Sequence, residues 1–143
     1  MDSGYLLQCA TCGAENHVPH GQTHERRRCR CGAWLIPGNC LPTDVGAEDW
    51  DREVLGSTAP VIVVVWGEAC PVCAEYEVSV FDMAVNLYGV ARVLRLDIEA
   101  HPEVAARYGV EGVPTVLLFR DGELLAKLPG PRGERGLREA LGV

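Results

Sequence analysis

Two cysteines near the middle of the chain have the spacing of a thiol–disulfide redox pair. Cys70 and Cys73 enclose Pro71 and Val72 and come directly after an apolar stretch. A thiol at the start of a helix faces unpaired backbone N–H groups and the positive end of the helix dipole, which stabilise the thiolate. The second thiol then lies one turn away, close enough to resolve a mixed disulfide. Pro71 suits the first helical position, where the N–H has no intrahelical partner.

The same pair has a plainer interpretation as inert core cysteines or as half of a metal site. A Cys-x-x-Cys motif alone is a weak signal. Its position after an apolar strand and at the start of a helix, with no second cysteine pair downstream, favours redox chemistry.

Four cysteines near the N-terminus form a second pattern, Cys9-Ala10-Thr11-Cys12 and Cys29-Arg30-Cys31-Gly32, with sixteen residues between the pairs. Two such pairs on tight turns suit a tetrahedral zinc site with four thiolate ligands. The segment has too few large apolar residues to hold a fold alone, and metal binding would supply the missing folding energy. The usual spacing has two residues inside each pair, whereas the second pair here has one.

Other arrangements of this N-terminal site stay open. The two pairs could be reversible disulfides, or one of His17, His20 and His24 could replace a thiolate. We favour one zinc ion on four cysteines, because the histidines fall in a predicted loop. Cys40 is then left over and is predicted to be a free thiol.

The elements that must position these cysteines fall into two domains. A stretch rich in turn-forming residues, 37–46, predicts a boundary near residue 45. Residues 1–45 would be a zinc ribbon and linker, and residues 46–143 an α/β domain. The second domain has helices and strands in the order α, β, α, β, α, β, β, α, predicted over residues 48–55, 61–66, 73–87, 91–97, 102–108, 115–119, 124–128 and 132–141. The continuous β-branched run 61–66 is typical of a strand covered on both faces.

The charge and composition of the chain indicate which classes of partner it binds and in which compartment it works. The net charge is −7, which argues against nucleic acid, and the basic cluster Arg26-Arg27-Arg28-Cys29-Arg30 is predicted to be a solvated face. The start of the chain lacks the pattern of a secretory signal, and no apolar run is long enough to span a bilayer. We therefore expect a cytoplasmic protein, in which seven cysteines serve metal binding or redox catalysis rather than a disulfide framework.

Several motifs of the second domain resemble those of the thioredoxin family. The segment Trp66-Gly67-Glu68-Ala69-Cys70-Pro71-Val72-Cys73 is similar to its active-site segment, and Gly112-Val113-Pro114-Thr115 to its cis-proline loop. Gly122 and Gly130 match the glycines of its hairpin turn and of the approach to its last helix. With a zinc ribbon in front, the chain resembles the thioredoxin-2 type of that family.

The resemblance implies a thioredoxin fold, a mixed sheet flanked by helices, and roles for individual residues. Cys70 would be the nucleophile, Cys73 the resolving thiol, and Pro114 a cis-proline that turns the Val113 backbone toward the sulfurs for a substrate strand. The residues implied to contact protein substrates are Trp66, Ala69, Pro71, Val113 and Pro114. A thioredoxin-reductase-like enzyme would regenerate the dithiol.

The sequence departs from the family pattern at positions close to the redox pair. Ala69 replaces the usual Trp, Pro71-Val72 replaces Gly-Pro, and Val78 replaces a proline of the active-site helix. Val64 stands where the family has a buried Asp, and Arg95 where it has a Lys. We expect Arg95 to point toward Cys73 and to favour its thiolate electrostatically.

The sequence thus predicts a protein-disulfide reductase that acts by dithiol–disulfide exchange. Two alternatives remain: a zinc-ribbon adaptor or redox-sensing chaperone with little turnover, and a disulfide oxidase or isomerase.

Overall fold

Two antiparallel hairpins make up the N-terminal part of the computed structural model, which describes residues 4–9, 11–19, 27–35 and 41–143. Strand β1 (Gly4–Gln8) pairs with β2 (Glu15–Pro19), and β3 (Arg27–Arg28) pairs with β4 (Trp34–Leu35). Each hairpin carries one of the two cysteine pairs in its turn. The predictions for His20, His24 and Cys40 lie outside the described residues.

The rest of the chain is built on a five-stranded mixed sheet with the strand order β5-β7-β6-β8-β9. Strands β5, β7 and β6 are parallel, and β8 runs antiparallel to both β6 and β9. The strand bounds are β5 Thr43–Asp44, β6 Val61–Trp66, β7 Arg92–Asp97, β8 Thr115–Arg120 and β9 Glu123–Pro129.

Helical segments cover both faces of this sheet: a short π-helix at Asp51–Leu55, and helices α1 Pro71–Asn86, α2 Pro102–Arg107 and α3 Glu134–Leu141. Side chains alternate along β6. Val63 and Val65 pack with the π-helix and α2, whereas Ile62 and Val64 pack with α1 and α3. A β-branched side chain therefore fills each face, as the apolar run 61–66 predicted. The alternation also places Val64 beneath α1, the helix that carries the redox pair.

The predicted mixed α/β fold is confirmed, with differences at the ends of elements. The helix predicted over 48–55 is a π-helix of five residues, in which the N–H of Gly56 bonds the carbonyl of Asp51. The last helix begins at Glu134 rather than at residue 132. The two-residue strand β5 was not predicted. It belongs to the main sheet although it precedes the proposed boundary near residue 45, and that boundary stays a prediction.

The turn between β8 and β9 occurs where the sequence predicts it. Asp121 and Gly122 both have positive φ, 51° and 79°, as a two-residue hairpin turn requires. A Cβ on Gly122 would lie only 2.8 Å from the carbonyl oxygen of Leu55, so only glycine fits. The turn is thereby held against the end of the π-helix.

Among the described residues, no helix is both long enough and apolar enough to cross a membrane.

Candidate functional site

The redox cysteines lie where β6 gives way to α1. After Trp66 the chain forms a short loop, and Cys70 caps α1 in an extended conformation (φ −124°, ψ 101°), with Pro71 at the first helical position. The backbone N–H of Cys73 donates a hydrogen bond to Sγ of Cys70 at 3.0 Å. The two cysteines form a disulfide, with their Cα atoms 5.2 Å apart. The structure thus brings together the pair that the spacing indicated.

The two sulfurs differ in their access to solvent. Cys70 is partly exposed, whereas Cys73 is buried, with 8% of its surface accessible. A large partner can therefore approach Cys70 from outside more easily than Cys73. Ala69 and Pro71, on either side of Cys70, are exposed.

The loop at residues 112–115 lies against the exposed sulfur. The Val113–Pro114 peptide bond is cis, as the resemblance implied. The carbonyl oxygen of Val113 is 3.8 Å from Sγ of Cys70. The Thr115 hydroxyl donates a 2.7 Å hydrogen bond to the carbonyl of Gly112 and fixes the start of β8. The loop thus presents backbone beside the reactive sulfur.

A cavity of about 360 Å³ extends from the cysteines beneath the first turns of α1. Both redox cysteines and Pro114 line it, together with Val64 and Trp66 from β6 and Arg95 from β7. Nε1 of Trp66 is buried and has no hydrogen-bond partner among the residues that the structure describes. The cavity therefore joins Cys73 to a partly open space that is lined by apolar side chains and by a few charged ones.

Arg95 lies beside Val64 in the register of β6 and β7 and borders the same cavity as Cys73. Its guanidinium carbon is 4.7 Å from the centroid of the Trp66 ring, in a cation–π contact. Within the described part of the chain it forms ion pairs with two carboxylates: Nη1 is 3.5 Å from Glu77, and Nε is 3.9 Å from Asp44. The expected influence of Arg95 on the Cys73 thiolate stays a prediction.

Glu77 is the residue of this site that the sequence analysis missed. It follows Cys73 by four positions on α1 and borders the cavity. That spacing alone places the two side chains on one face of the helix. The apolar periodicity of α1 identifies the residues that face the sheet, but it does not identify Glu77 as a neighbour of Cys73.

The four N-terminal cysteines converge at one point. Their sulfurs all lie within 4.8 Å of one another, and among the residues that the structure describes no histidine joins the group. Sγ of Cys9 is 3.7 Å from that of Cys31, and Sγ of Cys12 is 3.5 Å from that of Cys29. All four are free thiols. A cluster of this kind can bind a metal ion.

Backbone hydrogen bonds shape both turns that carry these thiols. In the first turn the N–H of Gly13 bonds the carbonyl of Cys9 at 2.9 Å, and in the second that of Gly32 bonds Cys29 at 2.8 Å. Gly13 and Gly32 have φ values of 79° and 95°. The glycine after each pair therefore closes the turn, although the second pair is one residue shorter.

The thiols of the cluster differ in acidity. Hydrogen bonding from the backbone of Cys31 lowers the pKa of the Cys29 thiol to about 6. The backbone of Ala14 lowers the pKa of Cys12, but contacts with the thiols of Cys29 and Cys31 outweigh it and raise that pKa to about 12. The cluster thus loses its first protons readily and its last with difficulty, as expected where thiolates crowd together.

Comparisons with known proteins agree on the larger domain. The thioredoxin family model matches residues 42–142. Thioredoxin from Rickettsia bellii (strain RML369-C) is 32% identical over 83 residues, which are 58% of this chain and 79% of that protein. Chloroplastic thioredoxin M5 from Oryza sativa subsp. japonica is 34% identical over 76 residues, or 53% of this chain and 44% of that protein. The solved structure of a mutant thioredoxin from Halobacterium salinarum NRC-1 has a TM-score of 0.65 and 26% identity, and covers 74% of this chain and 92% of that one.

Proposed function

Because this chain belongs to the thioredoxin family, we propose that it reduces disulfide bonds of other proteins through its Cys70-Pro71-Val72-Cys73 segment. Its family and its relatives named thioredoxin make it a thiol–disulfide oxidoreductase. The proposal concerns the direction of the reaction and the residues that perform it.

The reaction needs two exchanges of sulfur bonds. The Cys70 thiolate attacks a substrate disulfide, forms a mixed disulfide and releases one substrate thiol. The Cys73 thiolate then attacks Sγ of Cys70, forms the internal disulfide and releases the second thiol. The substrate gains two electrons and two protons, and the dithiol loses them.

One observation carries this assignment: the hydrogen bond from the Cys73 N–H to the partly exposed sulfur of Cys70. A donor at 3.0 Å stabilises negative charge on Cys70 rather than on Cys73. The helix dipole adds to this effect, because Cys70 sits at the N-terminus of α1. Cys70 is therefore both the more accessible and the better stabilised thiolate.

Substrate binding would use the surface around Cys70. The backbone of Val113, next to the sulfur, can pair with an extended substrate strand. Trp66, Ala69, Pro71 and Pro114 would border the same contact. Ala69 and Pro71 offer a small and exposed surface, which suits large protein substrates rather than a closed small-molecule pocket.

Insulin reduction with dithiothreitol as electron donor tests the proposed activity. We expect turnover that depends on Cys70. The absence of turnover would support an adaptor or redox-sensing chaperone instead. The reduction potential distinguishes a reductase from an oxidase. A reductase should have a potential of about −270 mV, whereas that of a strong oxidase is about −120 mV.

We also propose that Cys9, Cys12, Cys29 and Cys31 hold one structural zinc ion. With a zinc–sulfur distance of about 2.3 Å, tetrahedral ligands lie roughly 3.8 Å apart. The observed separations of 3.5 and 3.7 Å are close to that value. Zinc would neutralise the crowded thiolates and join the two hairpins, without taking part in catalysis.

The cellular setting follows from the same chemistry. Four free thiols in a chain that also has a redox pair suit a reducing compartment, and we propose that the protein is cytoplasmic. A thioredoxin-reductase-like enzyme would return electrons to the internal disulfide. Its contact surface would again be the one around Cys70, because that sulfur is the exposed one.

A further inference from the structure

The second exchange requires a proton to leave a buried thiol. Cys73 must be a thiolate to attack Cys70, since the thiol is a poor nucleophile. Only 8% of its surface is accessible, so bulk water reaches it poorly from outside. The cavity beneath α1 borders Cys73 and is large enough for several water molecules. Trp66 also lines this space, and its buried Nε1 has no hydrogen-bond partner among the described residues, so a water molecule in the cavity could satisfy it.

Glu77 is placed to receive that proton. Cys73 and Glu77 are four positions apart on α1, so their side chains are neighbours on one helix face, and helical side chains lean toward the N-terminus, the direction in which Cys73 lies. Both residues line the cavity. Val64, which forms part of the cavity wall on the strand side, offers no acceptor. Among the described residues that line the cavity, the carboxylates are those of Glu68 and Glu77.

The ion pair with Arg95 distinguishes Glu77 from Glu68. The Arg95 guanidinium, held over the Trp66 ring, lies 3.5 Å from Oε1 of Glu77 and keeps this carboxylate at the cavity. Glu68 belongs to the exposed loop before α1, and Glu77 to the helix that carries Cys73. The Glu77 side chain is 48% accessible, so it can pass a proton on to solvent.

We propose that Glu77 is the proton acceptor for Cys73, an inference that rests on the proposed reductase function. The Cys73 thiol gives its proton to Glu77 through water in the cavity. The thiolate then attacks Sγ of Cys70 and forms the internal disulfide. The released substrate thiolate takes up a proton from Glu77 or from solvent, and Glu77 is a carboxylate again at the end.

The test separates the two exchanges in the full-length protein. The reduced chain is mixed with glutathione disulfide, quenched with acid after milliseconds to seconds, and analysed by mass spectrometry for dithiol, mixed disulfide and internal disulfide. We expect Glu77→Gln to slow the loss of mixed disulfide at least about tenfold at pH 7, with its formation unchanged. The difference should shrink toward pH 9, where hydroxide ionises the thiol directly. Glu77→Asp should recover part of the rate.

The direction of this effect excludes a merely electrostatic role. A nearby carboxylate disfavours the Cys73 thiolate, so removing its charge alone would speed the second exchange. Glu75→Gln is the matched control, because Glu75 is exposed on the same helix and does not line the cavity. The Glu75→Gln protein should form and resolve the mixed disulfide at the same rates as the unmodified chain.

Two results would overturn the inference. One is a Glu77→Gln protein that resolves the mixed disulfide at the original rate or faster between pH 6 and 9. The other is a slow second exchange in Glu68→Gln with a normal one in Glu77→Gln. Failure of the reductase proposal would look different: an adaptor would form no mixed disulfide in the unmodified chain, and an oxidase would form it but have a reduction potential at about −120 mV.

Discussion

The amide of Cys73 and the sulfur of Cys70 are joined by a 3.0 Å hydrogen bond across the first turn of α1. In the proposed reaction, the residue that supplies the resolving thiol also stabilises the attacking thiolate through this bond. A serine at position 73 would keep the amide donor, whereas a serine at position 70 would remove the nucleophile itself.

The two cysteines should therefore fail in different ways when replaced. We expect Cys70→Ser to abolish insulin reduction, because no exposed thiolate remains. Cys73→Ser should still attack substrate and accumulate a stable mixed disulfide, visible as a mass adduct that dithiothreitol removes. Faster alkylation of Cys73 than of Cys70 by iodoacetamide at pH 7 in the reduced protein would contradict this division of roles.

Metal binding should stabilise the N-terminal hairpins and leave the redox domain unaffected. We expect one zinc per chain, measured by elemental analysis and released by a thiol-modifying reagent, with loss of order only in residues 1–38. The larger domain has its own two-sided core and should keep its insulin reduction.

The double variant Cys29→Ser, Cys31→Ser is the matching control for the metal site. It should contain no zinc, because two of the four sulfurs are lost. Stoichiometric zinc in this variant would rule out the four-cysteine site. A large loss of insulin reduction would instead show that the ribbon supports the redox domain.

Tyr76 should make the stability of the protein depend on alkaline pH. Burial raises the pKa of its hydroxyl, which donates a hydrogen bond to the carbonyl of Arg132. The folded protein thus holds this proton more tightly than the unfolded chain. The resulting stability is complete below pH 10 and is lost as the pH rises through the folded pKa.

Replacement of Tyr76 by phenylalanine removes both the hydrogen bond to the carbonyl of Arg132 and the titratable hydroxyl. We expect Tyr76→Phe to lower the free energy of unfolding by about 0.5–1.5 kcal/mol at pH 7 and to lose less stability above pH 10. Urea unfolding at pH 7 and 10.5 measures both. Tyr108→Phe also removes a hydrogen bond, the one from Nε1 of Trp50, but keeps Tyr76 and should show the original alkaline loss. An unchanged alkaline slope in Tyr76→Phe would contradict the assignment.

The sequence predicts the parts of this molecule that depend on local pattern. The run of β-branched residues in β6 predicts a strand buried on both faces, and the pair Asp121-Gly122 predicts the hairpin turn. The position of Cys70 after that strand predicts the start of α1. Each of these signals lies within a few neighbouring residues.

Long-range pairing explains what the sequence did not reveal. Strand β5 has only two residues, Thr43 and Asp44, and no periodicity, so it is defined by its pairing with β7. The relation between Glu77 and Arg95 likewise exists only because α1 packs across the sheet. The spacing of Cys73 and Glu77 can be read from the sequence, but the cavity that both residues line cannot, because it forms only when α1 packs on the sheet.

Val64 offers a final test of how Cys73 loses its proton. Val64 is 3% accessible, borders the cavity and lies beside Arg95 in the sheet. In the Glu77→Gln background, Val64→Asp should restore most of the second exchange, because it returns a carboxylate to the same cavity. A buried carboxylate should lower the free energy of unfolding by about 1–3 kcal/mol, reduced where Arg95 pairs with it.

The isosteric control is Val64→Asn in the same background, which adds polarity and volume without a base and should restore nothing. In the otherwise unmodified chain, Val64→Asp should also speed release of substrate, and Arg95→Ala should slow it, because the guanidinium holds Glu77 and favours the thiolate. The acid-quench assay between pH 6 and 9 measures all four proteins. Equal rescue by Val64→Asn and Val64→Asp would mean that cavity polarity, and not a proton acceptor, limits the step.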